Sequence, residues 1–334
     1  MPDLKPRVSV IIPSYQNAKE LPRAVISVLN QDYSNFEIVI IDNASTDGTP
    51  KICSTFAASE PRIKWKTLVQ NLGPAGARNE GVKIARGEFI AFLDADDEWL
   101  NGKLATQVEI LDSFPAIALV FCDGYLFDEK SNKKSLISKI NKIQKKNVEF
   151  TPIDTKRPIY RLDGDVRTAI FRGNFINLSS VMLRKEAFDL LGGFDQSCYG
   201  MEDLDFWVRL ARKSKFAYLF ERVIICYWRS LSLSRMTEKR ISELLEYYFR
   251  CYSSTEFSDL KSATQANLYY CYKLLILHYS DRWRPIRALN AFRESLQVQF
   301  YPSLFMYSLL SFLGNIPLRI KNEIINPFFE RLQS

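Results

Sequence analysis

The sequence predicts an α/β protein in which a mostly parallel β-sheet is flanked by helices and followed by a C-terminal helical extension. In the first third of the chain, short apolar runs rich in β-branched residues alternate with helical patterns, which is typical of βαβ units. The runs recur about every 26 to 29 residues, close to the length of one such unit. From about Glu238 onwards, the chain reads as helical and is rich in Tyr, Leu and Phe.

The first third of the chain contains five predicted strands, which are Val8–Pro13, Phe36–Asp42, Ile63–Thr67, Phe89–Leu93 and Ala118–Cys122. Between the first two, the apolar residues from Leu21 to Leu29 fall on one face of a helix. Pro74–Arg86 and Leu100–Phe114 supply further crossover helices. Because the parallel strands of such a sheet end at one common edge, we expect the ligand to bind there.

A second pattern follows a polar stretch at Asp128–Glu149, which reads as a loop or connection. This pattern consists of an apolar run at Ile176–Leu183, a helix from Lys185, a turn at Gly192–Asp195 and a helix that starts near Glu202. The chain shows no internal repeat of the kind that builds solenoids.

The composition excludes several kinds of chemistry. With 45 Lys and Arg against 38 Asp and Glu, the net charge is +7, which suits nucleic acid, anionic lipid or phosphorylated substrates without choosing among them. His278 is the single histidine of the chain, so Ser/His/Asp triads, Cys/His nucleophiles and His-rich zinc sites lose support. Catalysis by carboxylates is expected instead.

The cysteines and the apolar segments indicate the cellular compartment in which the protein works. Six widely spaced cysteines without a C-x-x-C pair predict buried thiols in a reducing environment. The apolar stretch Val8–Pro13 is too short for the core of a signal peptide, and no segment reaches the roughly 18 apolar residues of a spanning helix. We therefore expect a cytoplasmic protein.

Polar residues follow three of the predicted strands, at Pro13–Asn17, Asp42–Thr49 and Asp94–Asp97. In a parallel sheet these three segments meet at the same edge. Asp94 and Asp96, spaced i, i+2 after a buried strand, can both approach one hard cation, and a diphosphate would complete its shell of oxygen ligands. An isolated D-x-D is more often a solvated turn that caps a helix, but its position beside the other two polar segments favours a metal site.

The other polar segments suit a nucleotide. Asp42 and Asn43 can pair with a base or a ribose, and Tyr15 offers a ring for stacking; a capping turn would explain the same residues. Arg78 lies in a first helical turn that favours phosphate, although Gly73-Pro74 also fits a plain helix entry. The chain has neither a G-x-G-x-x-G after strand one nor a Walker motif, which disfavours dinucleotide oxidoreductases and P-loop ATPases.

Glu202 and Asp203 stand at the start of a predicted helix. The helix dipole favours ionised carboxylates there, so simple capping accounts for them equally well. In a chain with a single histidine, one of these two acids is the candidate general base.

Five motifs occur in one order along the chain: V-S-V-I-I-P-S-Y, I-D-N-A-S-T-D-G-T, N-x-G-x-x-x-A-R-N, F-L-D-A-D-D, and G-G-F-D followed by E-D. Together they resemble the inverting glycosyltransferases of family 2, including those that build bacterial cell-surface polysaccharides. The resemblance covers about residues 7 to 235. It implies a GT-A fold at residues 1–237, with nucleotide-sugar binding at about 7–125, an acceptor and base half at about 150–237, and a helical extension at 238–334.

The resemblance also implies roles for single residues. Pro13, Tyr15, Asp42 and Asn43 would hold the nucleobase, usually uracil. Many members have a second aspartate where this chain has Asn43, which weakens the assignment to UDP.

The remaining roles implied by the resemblance concern phosphate, metal and base. Arg78 would lie near the base and phosphates, Asp94 near the ribose and metal, and Asp96 would bind Mg²⁺ or Mn²⁺. Glu202 and Asp203 match the motif that supplies the general base, and Asp203 is preferred. Arg229 stands where many members carry a metal-binding histidine, and a cation there could neutralise the leaving diphosphate.

The implied reaction is a single displacement that inverts C1 of the sugar. The Q-x-x-R-W motif of processive synthases is missing, which favours transfer of one sugar per encounter. Two alternatives remain: a nucleotidyltransferase, which would also use two acids and a metal, and a non-catalytic module that binds sugar nucleotides. Nucleic acid is not an expected partner, because the basic residues lack an RNA-binding signature.

The C-terminal extension raises the question of a membrane. Tyr301–Ile316 is apolar but too short to span a bilayer. Basic residues cluster between Asp205 and Arg240 and again after the apolar segment. We expect the C-terminal helices either to lie on the cytoplasmic leaflet, which would suit a lipid-linked acceptor, or to pack on the catalytic domain or on a second subunit.

Overall fold

The computed structural model describes residues 5–137, 148–228, 237–282, 284–299 and 301–311. The chain divides into two compact units, Met1–Ser232 and Leu233–Ser334.

The first unit is built on one mixed β-sheet. Its described strands are β1 Val8–Ser14, β2 Phe36–Asp42, β3 Ile63–Thr67, β4 Phe89–Phe92, β5 Glu98–Trp99, β6 Ile117–Asp128, β7 Lys133–Leu136, β8 Val148–Pro152, β9 Ile159–Gly164, β10 Met182–Arg184 and β11 Lys215–Trp228. Their order in the sheet is β3-β2-β1-β4-β10-β6-β11-β9-β8, with β5 paired to β11 and β7 to β6.

The helices of the first unit cover the sheet. They are α1 Leu21–Leu29, α2 Thr49–Ser59, α3 Gly73–Ile84, α4 Lys103–Ser113, α5 Val166–Arg172, α6 Lys185–Leu190 and α7 Glu202–Leu210. Every residue of β2 is buried, as expected for a parallel strand covered on both faces. The predicted α/β class and the five predicted strands are confirmed.

Strand β10 runs antiparallel between β4 and β6. The sequence predicts a single apolar run at Ile176–Leu183, but the structure divides it into a 3₁₀ turn at Leu178–Ser180 and this strand. The Asn177 side chain accepts a hydrogen bond from the Ser179 amide, which caps the turn and separates it from β10.

Strands β11 and β7 are among the features of the sheet that have no counterpart in the prediction. Strand β11 spans 14 residues, and Glu221 and Arg222 in its middle interrupt the apolar pattern where its pairing with β6 shifts register. Strand β7 lies inside the polar stretch predicted as a loop, and all four of its residues are exposed. Solvent-exposed strands carry little apolar signal, so periodicity misses them.

The described part of the second unit is helical, as the sequence predicts. Its helices are α8 Glu238–Ser253, α9 Lys261–Asp281, α10 Pro285–Ser295 and α11 Pro302–Leu310, with a 3₁₀ segment at Thr255–Leu260. Helix α9 packs against the other three helices. Within the ranges that the structure describes, no helix is both long and apolar enough to cross a bilayer.

Candidate active site

The carboxyl ends of β1 and β2 form the first part of the site. Ser14 and Asp42 are register partners at the ends of these neighbouring parallel strands, and the Asn43 amide donates to the Ser14 carbonyl. The chain leaves both strands through left-handed residues, Gln16 with φ of 56° and Ala44 with φ of 63°. The two polar segments therefore turn at the same edge of the sheet.

Asp42 and Ser14 present unsatisfied polar atoms. Asp42 is fully buried, and one carboxylate oxygen accepts from the Ser45 amide at 3.2 Å. Within the described residues, the other oxygen of Asp42 and the buried Ser14 hydroxyl have no hydrogen-bond partner. Buried polar atoms of this kind normally find a partner, so both are suited to a ligand. Ser14 is absent from the predicted site, although it stands within the polar segment after the first strand.

The Asn43 side chain is fully engaged within the protein. Its amide group donates to the Asn71 side-chain oxygen at 3.0 Å and to the Gly73 carbonyl at 3.2 Å, and its oxygen accepts from the Leu72 amide at 2.9 Å. These bonds hold the turn that enters α3. Its predicted role at the nucleobase stays a prediction.

The remaining residues of the second motif hold the loop after β1. The Gln16 side chain donates to the Thr46 hydroxyl and accepts from the backbone amides of Thr46 and Asp47. The Gln16 backbone amide donates to the Ser45 hydroxyl. Asp47 accepts from the Ala18 amide at 3.1 Å. These hydrogen bonds hold the loop in a conformation in which Tyr15 is 47% exposed. Its ring is therefore available for stacking.

Asp94 and Asp96 follow β4 in a tight turn, closed by the Asp97 amide donating to the Asp94 carbonyl at 3.0 Å. The Asp94 side chain is 36% exposed and Asp96 is half-buried. One oxygen of Asp94 pairs with Arg78, and none of the described residues donates a hydrogen bond to the other. Carboxylate oxygens in an accessible turn are the ligands that Mg²⁺ and Mn²⁺ prefer. The residues present thus fit a divalent cation.

Asp97 is a buried acid beneath this turn. It accepts from the Ser179 hydroxyl at 2.6 Å and from the Cys226 thiol and Tyr227 amide at 3.3 Å each. Burial raises the pKa of Asp97 to about 7, and the nearby charges of Asp94 and Asp96 act in the same direction. Asp97 therefore ties the D-x-D turn to the 3₁₀ turn and to β11, a role that the sequence does not indicate.

Arg78 joins the D-x-D turn to the start of α7. This buried guanidinium donates to Asp94 at 2.7 Å and to Glu202 at 2.9 Å. Burial by itself lowers the pKa of Arg78, but the carboxylates of Asp94 and Glu202 outweigh it and raise the pKa above its usual value. Paired on both outer nitrogens, Arg78 acts as a bridge between two acidic segments, and its predicted contact with phosphates stays a prediction.

Glu202 and Asp203 occupy different environments. Glu202 is buried, with one oxygen on Arg78 and the other without a partner in the part of the chain that the structure describes. Asp203 is partly exposed and accepts from the Asn174 side chain at 2.8 Å. Burial raises the pKa of Asp203 to about 6, and the Glu202 charge adds to this effect, while Arg78 and Asn174 oppose it. An accessible carboxylate with such a pKa suits a general base near neutral pH.

Arg23 is a further residue beside the D-x-D turn. It donates to the Asp96 carbonyl at 2.7 Å, and its guanidinium lies 3.4 Å from the centre of the Tyr227 ring. The Tyr227 hydroxyl in turn donates to Glu98. A single arginine on an amphipathic helix gives no sequence signal, so this link could not be found from the sequence.

Two of the motifs dock onto each other. Asn79 donates to the Phe194 carbonyl and accepts from its amide, at 2.8 and 3.0 Å. Gly193 has φ of 79°, and a Cβ there would lie 2.8 Å from the Asn79 side-chain oxygen. The turn needs a glycine for both reasons, and the contact fixes the segment that leads to α7.

Asp195, Cys198 and Asp205 place three potential ligand atoms within 4.8 Å of one another. Their partners are nonetheless within the protein: Asp205 pairs with Arg209 at 2.8 Å, and Asp195 accepts from Ser197 and Cys198. We interpret this group as structural. Arg229, the last predicted site residue, lies outside the described residues.

Comparison with known families identifies the first unit. Residues 9–168 match the family model described as Glycosyl transferase family 2. The match spans the segments after β1, β2 and β4, which form one part of the candidate site, whereas Glu202 and Asp203 lie beyond it.

The chain thus contains a glycosyltransferase family 2 domain at residues 9–168.

The similarity to one curated relative extends over a longer part of the chain than the family match does. This chain is 31% identical over 217 residues to GalNAc(5)-diNAcBac-PP-undecaprenol beta-1,3-glucosyltransferase of Campylobacter jejuni, a match that covers 63% of this chain and 62% of that enzyme. The chain thus spans less than two thirds of this relative.

Solved structures show that the family 2 domain has the GT-A fold. Staphylococcus aureus TarS, residues 1–349 in complex with UDP-GlcNAc, superposes with a TM-score of 0.61 at 16% identity, covering 92% of this chain and 89% of that one. The mannosyltransferase PcManGT of Pyrobaculum calidifontis, in complex with GDP-Man and Mn²⁺, gives 0.55 at 20% identity, covering 94% and 88%. The predicted family and fold are confirmed.

Proposed function

We propose that the protein is an inverting glycosyltransferase that moves one sugar from a nucleoside-diphosphate sugar to a hydroxyl group of a lipid-linked saccharide. The observation that carries this proposal is the Arg78 bridge, which joins Asp94 of the D-x-D turn to Glu202 beside Asp203. A site for a metal-bound diphosphate and a site for a base are thereby held next to each other. Single displacement at a sugar carbon is accelerated by a base that activates the acceptor and by positive charge that stabilises the leaving diphosphate.

The donor nucleotide is assigned to the ends of β1 and β2. Pro13, Tyr15, Asp42 and Asn43 would hold the nucleobase, with the unpaired Asp42 oxygen accepting from the base. UDP is the first candidate, because TarS binds UDP-GlcNAc. GDP is the second, because PcManGT binds GDP-Man.

Asp94 and Asp96 would hold a divalent cation, Mg²⁺ or Mn²⁺. When bound, such a cation supplies positive charge that neutralises a diphosphate leaving group. The Mn²⁺ in the PcManGT complex supports this assignment. We assign Arg229 a further positive charge near the leaving group, in the place of the family's histidine.

Asp203 is the proposed base. One oxygen of its carboxylate is held by Asn174, which orients the group toward the acceptor. The carboxylate takes the proton of the acceptor hydroxyl, whose oxygen forms a bond to C1 of the sugar. The bond between C1 and the diphosphate oxygen breaks, its electron pair leaves with the diphosphate, and the configuration at C1 inverts. Glu202 and Arg78 keep the base segment in place.

The acceptor is proposed by similarity. The Campylobacter relative is named for a diphosphoundecaprenol-linked acceptor, and a lipid-linked saccharide would present its hydroxyl at the surface of a membrane. The enzyme would then work at the cytoplasmic face of that membrane.

The test begins with nucleotide binding. Isothermal titration of UDP, GDP and dTDP, each with and without Mn²⁺, identifies the nucleotide, and a panel of the matching sugar nucleotides then reports donor hydrolysis and transfer. We expect Mn²⁺ to tighten binding of one nucleotide. Asp96→Ala should abolish this tightening and lower turnover by about two orders of magnitude or more, while Asp32→Ala, at an exposed aspartate of the same unit, should change neither.

Two results would overturn the proposal. Release of pyrophosphate from a nucleoside triphosphate in the presence of a sugar phosphate would indicate a nucleotidyltransferase. Binding without turnover of any donor, with native and Asp96→Ala proteins behaving alike, would indicate a non-catalytic module.

A further inference from the structure

Helix α10 of the second unit carries an exposed row of aliphatic side chains. Ile286 is 71% exposed and Leu289 38%, and Leu296, directly after the helix, is 46% exposed. These positions fall on one side of the helix, whereas the buried residues Ala288, Ala291 and Ser295 fall on another side. The helix therefore has an apolar strip that the described part of its own unit does not cover.

The row continues onto helix α11. Phe292 of α10 and Phe305 of α11 are in ring contact, with centroids 5.3 Å apart, so the two helices lie side by side here. Phe305 is 38% exposed, and Leu309, one turn later, is 42% exposed. We call Ile286, Leu289, Leu296, Phe305 and Leu309 the apolar patch.

Four exposed arginines occur in the same stretch of chain as α10: Arg282, Arg284, Arg287 and Arg293. Two of them share one acid, since Glu238 lies 4.0 Å from Arg284 and 3.3 Å from Arg287. Arg293, which follows Leu289 by one turn, forms no ion pair with any described residue.

The acids near these arginines are fewer. Asp281 ends α9, and Glu294 is the one acidic residue within α10. The region thus combines exposed aliphatic groups with a surplus of guanidinium groups.

We propose that the apolar patch and its arginines dock onto the surface of an anionic lipid bilayer. An interfacial helix inserts aliphatic and aromatic side chains at the boundary of the acyl chains and places its cations at the phosphates of the headgroups. The segment from Arg282 to Leu309 has both components, as exposed side chains. This proposal concerns the second unit and does not depend on the proposed transferase activity.

The docking surface overlaps only in part with the one that the sequence suggests, through Phe305 and Leu309. The sequence points to Tyr301–Ile316, but Leu304 and Tyr307 in its described part are buried at 0% and 1% exposure. Residues 312–316 lie outside the described residues. The structure assigns the contact chiefly to α10, whose alternating arginines and aliphatic residues do not form an apolar run.

The experiment is co-sedimentation of the full chain with vesicles of phosphatidylcholine alone and with vesicles that also contain phosphatidylglycerol. We expect binding to the second kind only, weakened by added salt. Leu289→Asp and the double variant Arg287→Glu/Arg293→Glu should each lower partitioning about tenfold or more. Leu190→Asp, at an 81% exposed leucine of the first unit, is the matched control and should bind as the native protein does.

Thermal unfolding and titration with UDP or GDP verify that each variant is folded, so a loss of vesicle binding is not a loss of structure. Equal binding of native and Leu289→Asp proteins to phosphatidylglycerol vesicles would overturn the proposal. It would also be overturned if native protein bound neither vesicle and sedimentation velocity showed a dimer that Leu289→Asp dissociates, because the patch would then face a second copy of the chain.

Discussion

The two sides of the candidate site are built in different ways. On the side that we propose binds the nucleotide (the nucleotide side), Ser14 and Asp42 meet because β1 and β2 are neighbouring parallel strands, and Asn43 reaches Asn71, 28 residues away. On the catalytic side, Arg78 reaches Glu202 across 124 residues of sequence. The first side follows from local βαβ units, whereas the second depends on segments that the sheet brings together from distant parts of the chain.

Each side of the site contains one buried carboxylate oxygen that has no hydrogen-bond partner in the described part of the chain. The nucleotide side leaves a buried Asp42 oxygen without a partner within the described residues, and the catalytic side leaves an oxygen of Glu202 in the same state. A ligand that satisfies Asp42 should gain affinity. The acids of the catalytic side, held by one buried arginine, should instead control turnover and stability. The predictions below test this division.

The largest expected effect is on turnover in Asp203→Asn. An amide cannot take the acceptor's proton, so kcat should fall by about 10² to 10⁴, while donor affinity, measured by titration of the nucleotide, stays close to the native value. Asp189→Asn, at an exposed aspartate of α6, serves as the control. Native kcat in Asp203→Asn would remove this residue from the mechanism.

Loss of Arg78 should lower stability most. Arg78→Ala leaves Asp94 and the buried Glu202 without their shared cation, and breaking a buried ion pair costs about 3–5 kcal/mol. Urea unfolding measures the free energy. Arg62→Ala removes a surface pair with Glu60 of similar geometry and should cost less than about 1 kcal/mol. Similar losses in the two variants would contradict the bridging role of Arg78.

Substitutions on the nucleotide side should change the affinity for the nucleotide. Asp42→Asn replaces the charged acceptor by a neutral amide, and a hydrogen bond to a charged group contributes about 1.5–3 kcal/mol, so the nucleotide should bind roughly 10 to 100 times more weakly. Titration calorimetry measures this change. Asp32→Asn supplies the same substitution at an exposed position. If Asp42→Asn lowered kcat with unchanged affinity, the division between the two sides would be wrong.

The smallest effect is a pH dependence of kcat/KM. Asp203 has a pKa of about 6, and only its ionised form can take a proton, so kcat/KM should rise with pH through about 6 and level off above it. Asn174→Leu removes a hydrogen bond that favours the charged form, so the rising limb should move to higher pH. An acid limb that stays in place in Asn174→Leu would assign the titration to another group.

The sequence predicts the positions of the strand ends better than the contacts between distant segments, for a physical reason. Strand periodicity locates the ends of β1, β2 and β4, and parallel topology then places their polar residues at one edge. Asp94 and Asp96 could be found in this way. The partners of Asp97, which are Ser179, Cys226 and Tyr227, could not, because they depend on how β10 and β11 enter the sheet.

The individual hydrogen bonds within the site also escape prediction. Asn43 belongs to a motif and lies at the expected edge, yet its amide is saturated by the 71–73 turn. Ser14 has an unpaired hydroxyl, although a serine after a strand is unremarkable in sequence. Which polar atom is satisfied depends on side-chain geometry that residue types alone do not determine.

Strand β10 has a consequence for how the domain is made. Its three residues pair with β4 on one side and β6 on the other, so they connect the early strands to the later ones. During synthesis, β4 and β6 therefore keep unpaired edges until residue 184 has left the ribosome, and unpaired edges invite aggregation. A fragment cut at residue 168, where the family match ends, would keep those edges permanently. We therefore expect such a fragment to aggregate more readily than the full chain.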